Sequence, residues 1–110
     1  MSSVAFKIVN KHVWYSQFNT FGRFSGTDAD QLKGFIHLST FEQLGSVIQR
    51  KFNGSNLDLL LACVDLEKVA TCSEIRWEKA RDQQRYPHLY GFLLWDDIKW
   101  TYDMDTRSLQ

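Results

Sequence analysis

The chain reads as an α+β domain with a mixed sheet of five or six strands and two main helices. Three observations predict this. Several short segments alternate apolar and polar residues with the period-two pattern of strands. Two others keep apolar residues at helical spacing behind a capping side chain. The longest apolar run, Leu59-Leu60-Leu61-Ala62-Cys63-Val64, is strand-sized and apolar on both faces, so it predicts a central strand covered on both sides.

Taken in order, Val4 to Val9 alternates Val4, Phe6 and Ile8 against Ala5, Lys7 and Val9 and predicts the first strand. Asn10 caps a helix over Lys11 to Phe18, with Val13, Trp14 and Phe18 on one face. Gly22 to Gly34 is looser, with one helical turn at Ala29 to Lys33. Phe35 to Ser39 predicts a second strand running into a helix start: Ser39 or Thr40 as N-cap, with Glu42 or Gln43 completing a capping box. Phe41, Leu44, Val47, Ile48 and Phe52 carry that helix, and Asn53-Gly54 stops it.

The central strand is expected over Leu57 to Leu66, followed by irregular chain from Glu67 to Glu74. Ile75 to Glu78 reads as a short strand and Lys79 to Arg85 as a polar loop. Tyr86-Pro87-His88-Leu89-Tyr90-Gly91 holds the single proline. Ile98, Trp100 and Tyr102 mark a last strand, and Thr106 to Gln110 a frayed tail.

With 110 residues and neither a repeat nor a Gly/Ser- or Pro-rich linker, one domain over 1–110 is expected. An aromatic content of 15% argues for a packed core rather than disorder. Thirteen Lys plus Arg balance thirteen Asp plus Glu, which argues against a general nucleic-acid binder but leaves room for a small basic pocket. No stretch approaches the roughly 18 apolar residues of a membrane helix, and Met1 to Lys7 lacks the pattern of a secretory signal. A reduced, cytoplasmic protein is the expectation, with Cys63 a buried apolar residue and Cys72 in a polar loop.

Candidate chemistry falls in three places. Period-two geometry puts Phe35, His37 and Ser39 on one strand face, so an imidazole and a hydroxyl project together. They read either as a ligand or catalytic face, or as a half-buried histidine beside a capping serine. Arg76 and Glu78 share a face and either hold a polar ligand or pair with each other. In the third place, Pro87 stiffens the presentation of Tyr86 and His88, His88 and Tyr90 lie two apart on one side, and Gly91 lets a ligand or a backbone approach closely; the segment reads either as a ligand face or as a well-packed aromatic corner. His12 has no partner pattern. Three histidines without Cys or carboxylate at ligand spacing give no metal signature, so no metal is expected.

The order of FIHLST (Phe35 to Thr40), RWE (Arg76 to Glu78) and PHLYG (Pro87 to Gly91), with Trp14 behind the first strand, resembles the domain of unknown function 952 family from Phe6 to about Ile98. That resemblance implies a split, ADP-ribosyltransferase-like sheet able to hold NAD or ADP-ribose in a cleft. It implies His37, Glu78 and His88 as catalytic residues and Lys7, Ser39, Arg76, Tyr90 and Gly91 as ligand-binding ones. In that picture His37 orients ribose, Tyr90 stacks on a ring, Arg76 or Lys7 meets phosphate, and Glu78 stabilises an oxocarbenium-like state. The chain departs from the family pattern at Phe6-Lys7, where relatives carry an aromatic followed by His. A non-enzymatic module for a small anionic ligand or a protein partner is the alternative, and a hydrolase using His37 and His88 as an acid–base pair is a third. Oligomeric state and acceptor are not encoded in these motifs.

Overall fold

The computed structural model describes residues 3–52 and 58–105. The expected helix stop at Asn53-Gly54, the start of the central strand at Leu57 and the tail from Thr106 lie outside them.

The first strand, β1 (Val4–Asn10), pairs antiparallel with β4 (Asp58–Asp65), which pairs antiparallel with the last strand, β8 (Ile98–Asp105). A second antiparallel sheet has the order β3 (Ile36–His37), β6 (Arg85–Tyr90), β5 (Glu74–Lys79). The two-residue strands β2 (Arg23–Phe24) and β7 (Leu93–Leu94) form a small separate pair. All these ladders are antiparallel, where the sequence predicts a mixed sheet. No strand pair here is joined by a helical crossover that would run the two strands in one direction.

Proline explains how the two larger sheets meet. Leu38 N–H donates to the Pro87 carbonyl at 3.1 Å, so Pro87 turns its N–H-less nitrogen towards Leu38 as well. The ladder cannot close there, and β3 ends at His37 instead of running to Ser39 as expected. The chain then crosses to β1: Ser39 and Phe6 exchange both backbone hydrogen bonds, at 2.8 and 2.9 Å. One residue step thus carries the chain from one sheet to the other and opens a cleft between them.

Among the described residues, four α-helices flank the sheets. In α1 (Lys11–Phe21), Asn10 Oδ1 accepts the Val13 N–H, and Gly22 ends the helix in the left-handed region at φ 71°. That stop lies one turn beyond the predicted Phe18. In α2 (Asp28–Lys33), Thr27 and Asp30 form a reciprocal capping box. A 3-10 turn at Phe41–Gln43 leads into α3 (Leu44–Phe52). Thr40 and Gln43 make its capping box, and Gln43 Nε2 also donates to the Arg85 carbonyl at 2.8 Å, fastening this helix start to β6. The segment expected to be irregular opens with a four-residue helix, α4 (Leu66–Val69), capped by Asp65.

The expected double coverage of β4 is observed. Leu60, Ala62 and Val64 face the main core with Ala5, Val9, Trp14, Phe24 and Leu89, while Leu59 and Cys63 face a second cluster with Phe6, Ile8, Leu44 and Tyr86. Each such buried Leu contributes about 1.5–3 kcal/mol relative to exposure. Both cysteines are free, Cys63 buried and Cys72 exposed. Among the described residues no helix is long and apolar enough to cross a membrane.

Candidate functional site

A cavity of about 510 Å³ lies in the cleft, lined by β1, α1, α2, the end of β3, α3 and β6. Its size is that of small-molecule sites. Four of the sequence-predicted residues line it: Lys7, His37, Ser39 and His88.

Lys7 shares its strand face with Ala5 and Val9, the face that builds the main core, so its ammonium is forced into apolar surroundings. Asp30 meets it there. Lys7 Nζ lies 2.9 Å from Asp30 Oδ2 and 3.1 Å from Oδ1, and the side chains are 7% and 2% exposed. Asp30 Oδ1 also faces His37 Nδ1 at 2.7 Å and accepts the His37 N–H, while Oδ2 accepts the Thr27 N–H. Burial alone would raise the Asp30 carboxyl. The His37 hydrogen bond, the Lys7 charge and hydrogen bond, and the Thr27 N–H outweigh it and hold the group well below the usual carboxylate range. Burial draws Lys7 below the ordinary lysine value against the pull of Asp30, with the Lys51 charge acting in the same direction as burial.

Asp30 was not among the sequence-predicted site residues. Its only local signal is the Thr27-x-x-Asp30 capping pattern, which accounts for a helix start and says nothing of Lys7 or His37.

His88 is built in the same way as His37. It pairs with His37 across the β3–β6 ladder, and its Nδ1 lies 2.8 Å from Glu78 Oε1. A carboxylate facing Nδ1 requires the proton on that nitrogen and leaves Nε2 as the free position. The two imidazoles therefore each have a carboxylate behind them, and their ring centroids are 5.6 Å apart. Phe35 stacks on His88 at 4.0 Å and lies 4.6 Å from His37. Both imidazoles line the same cavity, and an imidazole is a group that can donate or accept a proton near neutral pH.

Glu78, Tyr90 and Arg76 lie on the same sheet face but not in the cavity wall. Glu78 Oε1 also accepts the Tyr90 hydroxyl at 2.7 Å; this bond first, then that of His88, lowers the Glu78 carboxyl below its ordinary value, and the Glu78 bond, followed by burial, raises the Tyr90 phenol. Arg76 pairs with Glu74, not Glu78, and lies over the Tyr90 ring at 4.5 Å. Gly91 also lies outside the cavity wall. At φ 154°, a Cβ there would sit 2.1 Å from Ser73 Oγ, so what approaches Gly91 closely is the chain itself.

Sequence reading also missed the cationic end of the cavity. Arg50 and Lys51, in the last turn of α3, line it. Arg50 Nη2 donates to the Tyr86 hydroxyl at 3.0 Å, and Tyr86 donates to Asp82 at 2.5 Å, which fixes the guanidinium.

Fold and cleft together define a small α+β domain in which two antiparallel sheets, joined at one bridge, flank a cavity whose wall includes His37 and His88. The chain belongs to the family described as "Protein of unknown function (DUF952)", whose model matches residues 8–101. It is similar to protein CC0527 from Caulobacter crescentus. The crystal structure of that protein is 33% identical, with a TM-score of 0.82 over 93% of this chain and 86% of that one. Its solution structure has a TM-score of 0.78 over 94% and 86%. No curated protein matches the chain.

Proposed function

We propose that the cavity binds a small anionic organic ligand of the nucleotide type, with NAD or ADP-ribose as the leading candidates, in an ADP-ribosyltransferase-like fold. The observation that carries this reading is the cavity's two-ended wall. Lys7, His37, Ser39 and His88 stand together, Arg50 and Lys51 supply positive charge, and Phe6, Ile8, Val47 and Phe52 offer apolar surface for a ring. A sheet split around a cleft is what the ADP-ribosyltransferase resemblance implies.

In this reading the phosphates lie against Arg50 and Lys51, where guanidinium and ammonium suit them. His37 and His88 present Nε2 to the ligand and exchange protons with it. Asp30 and Glu78 are positioning residues, each holding one imidazole through Nδ1. Glu78 therefore acts through His88 rather than facing the reacting carbon; Tyr90 braces Glu78 rather than stacking on the ligand, and Arg76 covers the Tyr90 ring. Gly91 serves packing.

A thermal-shift titration with NAD, ADP-ribose and nicotinamide tests this. Ligand at 100 times its dissociation constant adds about 2.7 kcal/mol, which is a rise of about 12 °C in a domain of this size. The expected result is a rise with the nucleotides that disappears in His37→Ala. A flat response to all three leaves the fold intact and removes this function.

A further inference from the structure

We infer that Lys7 is a carbonyl-trapping amine: its Nζ, held by Asp30 in the cavity wall beside His37, condenses reversibly with an aldehyde or ketone to give a protonated Schiff base. The inference rests on the cavity being a small-molecule site, as proposed above, and adds that its ligand carries a reactive carbonyl, as a ring-opened sugar does.

The geometry brings the required groups to one carboxylate. Lys7 Nζ is 2.9 Å from Asp30 Oδ2, and His37 Nδ1 is 2.7 Å from Asp30 Oδ1. Lys7 is among the residues that line the cavity, and with its side chain 7% exposed it is shielded from bulk solvent. A lysine becomes a nucleophile when desolvation favours its neutral form, and burial pushes Lys7 in that direction. His37 and His88 supply two imidazoles with Nε2 free of the carboxylates that hold Nδ1.

The step balances without an outside reagent. The neutral Nζ lone pair forms the C–N bond while the carbonyl π pair moves to oxygen, which takes a proton from an imidazolium. The nitrogen loses one proton to a neutral imidazole. The carbinolamine hydroxyl takes a second proton and leaves as water as the nitrogen lone pair closes C=N. Amine, carbonyl and one proton become iminium and water. The iminium is a cation, as the ammonium was, so Asp30 keeps a positive partner and no additional charge is left unpaired in the interior.

The test treats the whole chain with ribose 5-phosphate, which offers an open-chain aldehyde and a phosphate, in the presence of cyanoborohydride. The reduced adducts are then located by peptide mass spectrometry. Lys7 is expected to label at least tenfold faster than any other lysine. Excess ADP-ribose should suppress that labelling, and His37→Ala should slow it. Lys7→Arg, which retains a cation for Asp30 and whose fold is checked by circular dichroism, should show only the slow surface background. Uniform labelling of surface lysines, or an unlabelled Lys7, overturns the inference. If Lys7 stays unlabelled while ADP-ribose still raises the melting temperature, the binding reading survives and the Schiff base does not. If Lys7 labels but no nucleotide shifts the melting temperature, the Schiff base stands and the nucleotide reading fails. Neither labelling nor shift overturns both.

Discussion

Lys7 and Asp30, 23 residues apart in the chain, meet as a buried pair with Nζ 2.9 Å from Oδ2, and the same carboxylate holds His37. One short helix, α2, therefore fixes both the cation of β1 and the imidazole of β3. Lys7 lies in the cavity wall with His37 and His88.

Removing the Asp30 charge should be costly, because breaking one side of a buried pair leaves the other uncompensated. Asp30→Asn is expected to lose about 3–5 kcal/mol, read from urea midpoints near pH 7. The pH dependence has a definite sign. Asp30 is lowered in the folded state, so below its ordinary value of 3.8 the unfolded chain binds the extra proton. Its contribution is fully present above that value and is lost as pH falls through the folded pKa; Asp82 and Glu78, also lowered, act in the same sense. Stability of the wild type should thus fall steeply below about pH 4, and Asp30→Asn should show a shallower acid limb. Equal slopes would contradict the assignment.

Gly91→Ala separates a packing role from a ligand role. The new Cβ meets Ser73 Oγ at 2.1 Å and Cβ at 2.6 Å, at φ 154°. Clash and backbone strain together should cost at least about 2 kcal/mol. Ser73→Gly in the same chain should restore part of the loss, because it removes the clash and leaves the strain. No recovery would mean that Ser73 is not the obstacle.

Glu78 should govern His88 and Tyr90 together. In Glu78→Ala the His88 ring loses the acceptor that fixes its proton on Nδ1, and ring-nitrogen NMR should show a mixed tautomer population. The Tyr90 phenol, raised chiefly by its hydrogen bond to Glu78, should titrate closer to its ordinary value of 10.0. Glu78 is half-exposed, so the melting temperature should move little. An unchanged His88 spectrum would contradict the positioning role.

Arg50→Met and Lys51→Met test the cationic end. Loss of one cation facing a phosphate should weaken ADP-ribose about tenfold, roughly 1.4 kcal/mol, by calorimetry. Neutral nicotinamide should bind these variants as it binds the wild type. Equal weakening of both ligands would place the anion elsewhere.

The parts of the fold written as local pattern were legible in the sequence. The apolar run identified β4, Thr40 and Gln43 made the capping box, and strand parity put His88 and Tyr90 on one face of β6. What was hidden depends on distant partners. Asp30 sits in a six-residue, mostly polar helix, and its partner Lys7 is a strand away. Pro87 argued for a corner, yet it lies inside β6, tolerated because its nitrogen faces the point where β3 has ended. The two-residue strands β2 and β7 are too short to show a period. Arg50 and Lys51 read as ordinary surface charge on the last turn of α3, and only the closing of the cleft makes them part of a cavity.

The central claim, that the cleft is a nucleotide-type site, is tested most directly by backbone and histidine-ring NMR during titration with ADP-ribose. The account predicts saturable shifts concentrated at Lys7, His37, Ser39, Arg50, Lys51 and His88, absent in His37→Ala, with Arg76 and Gly91 moving little. Shifts scattered over the surface, or none at concentrations well above the millimolar range, would contradict it.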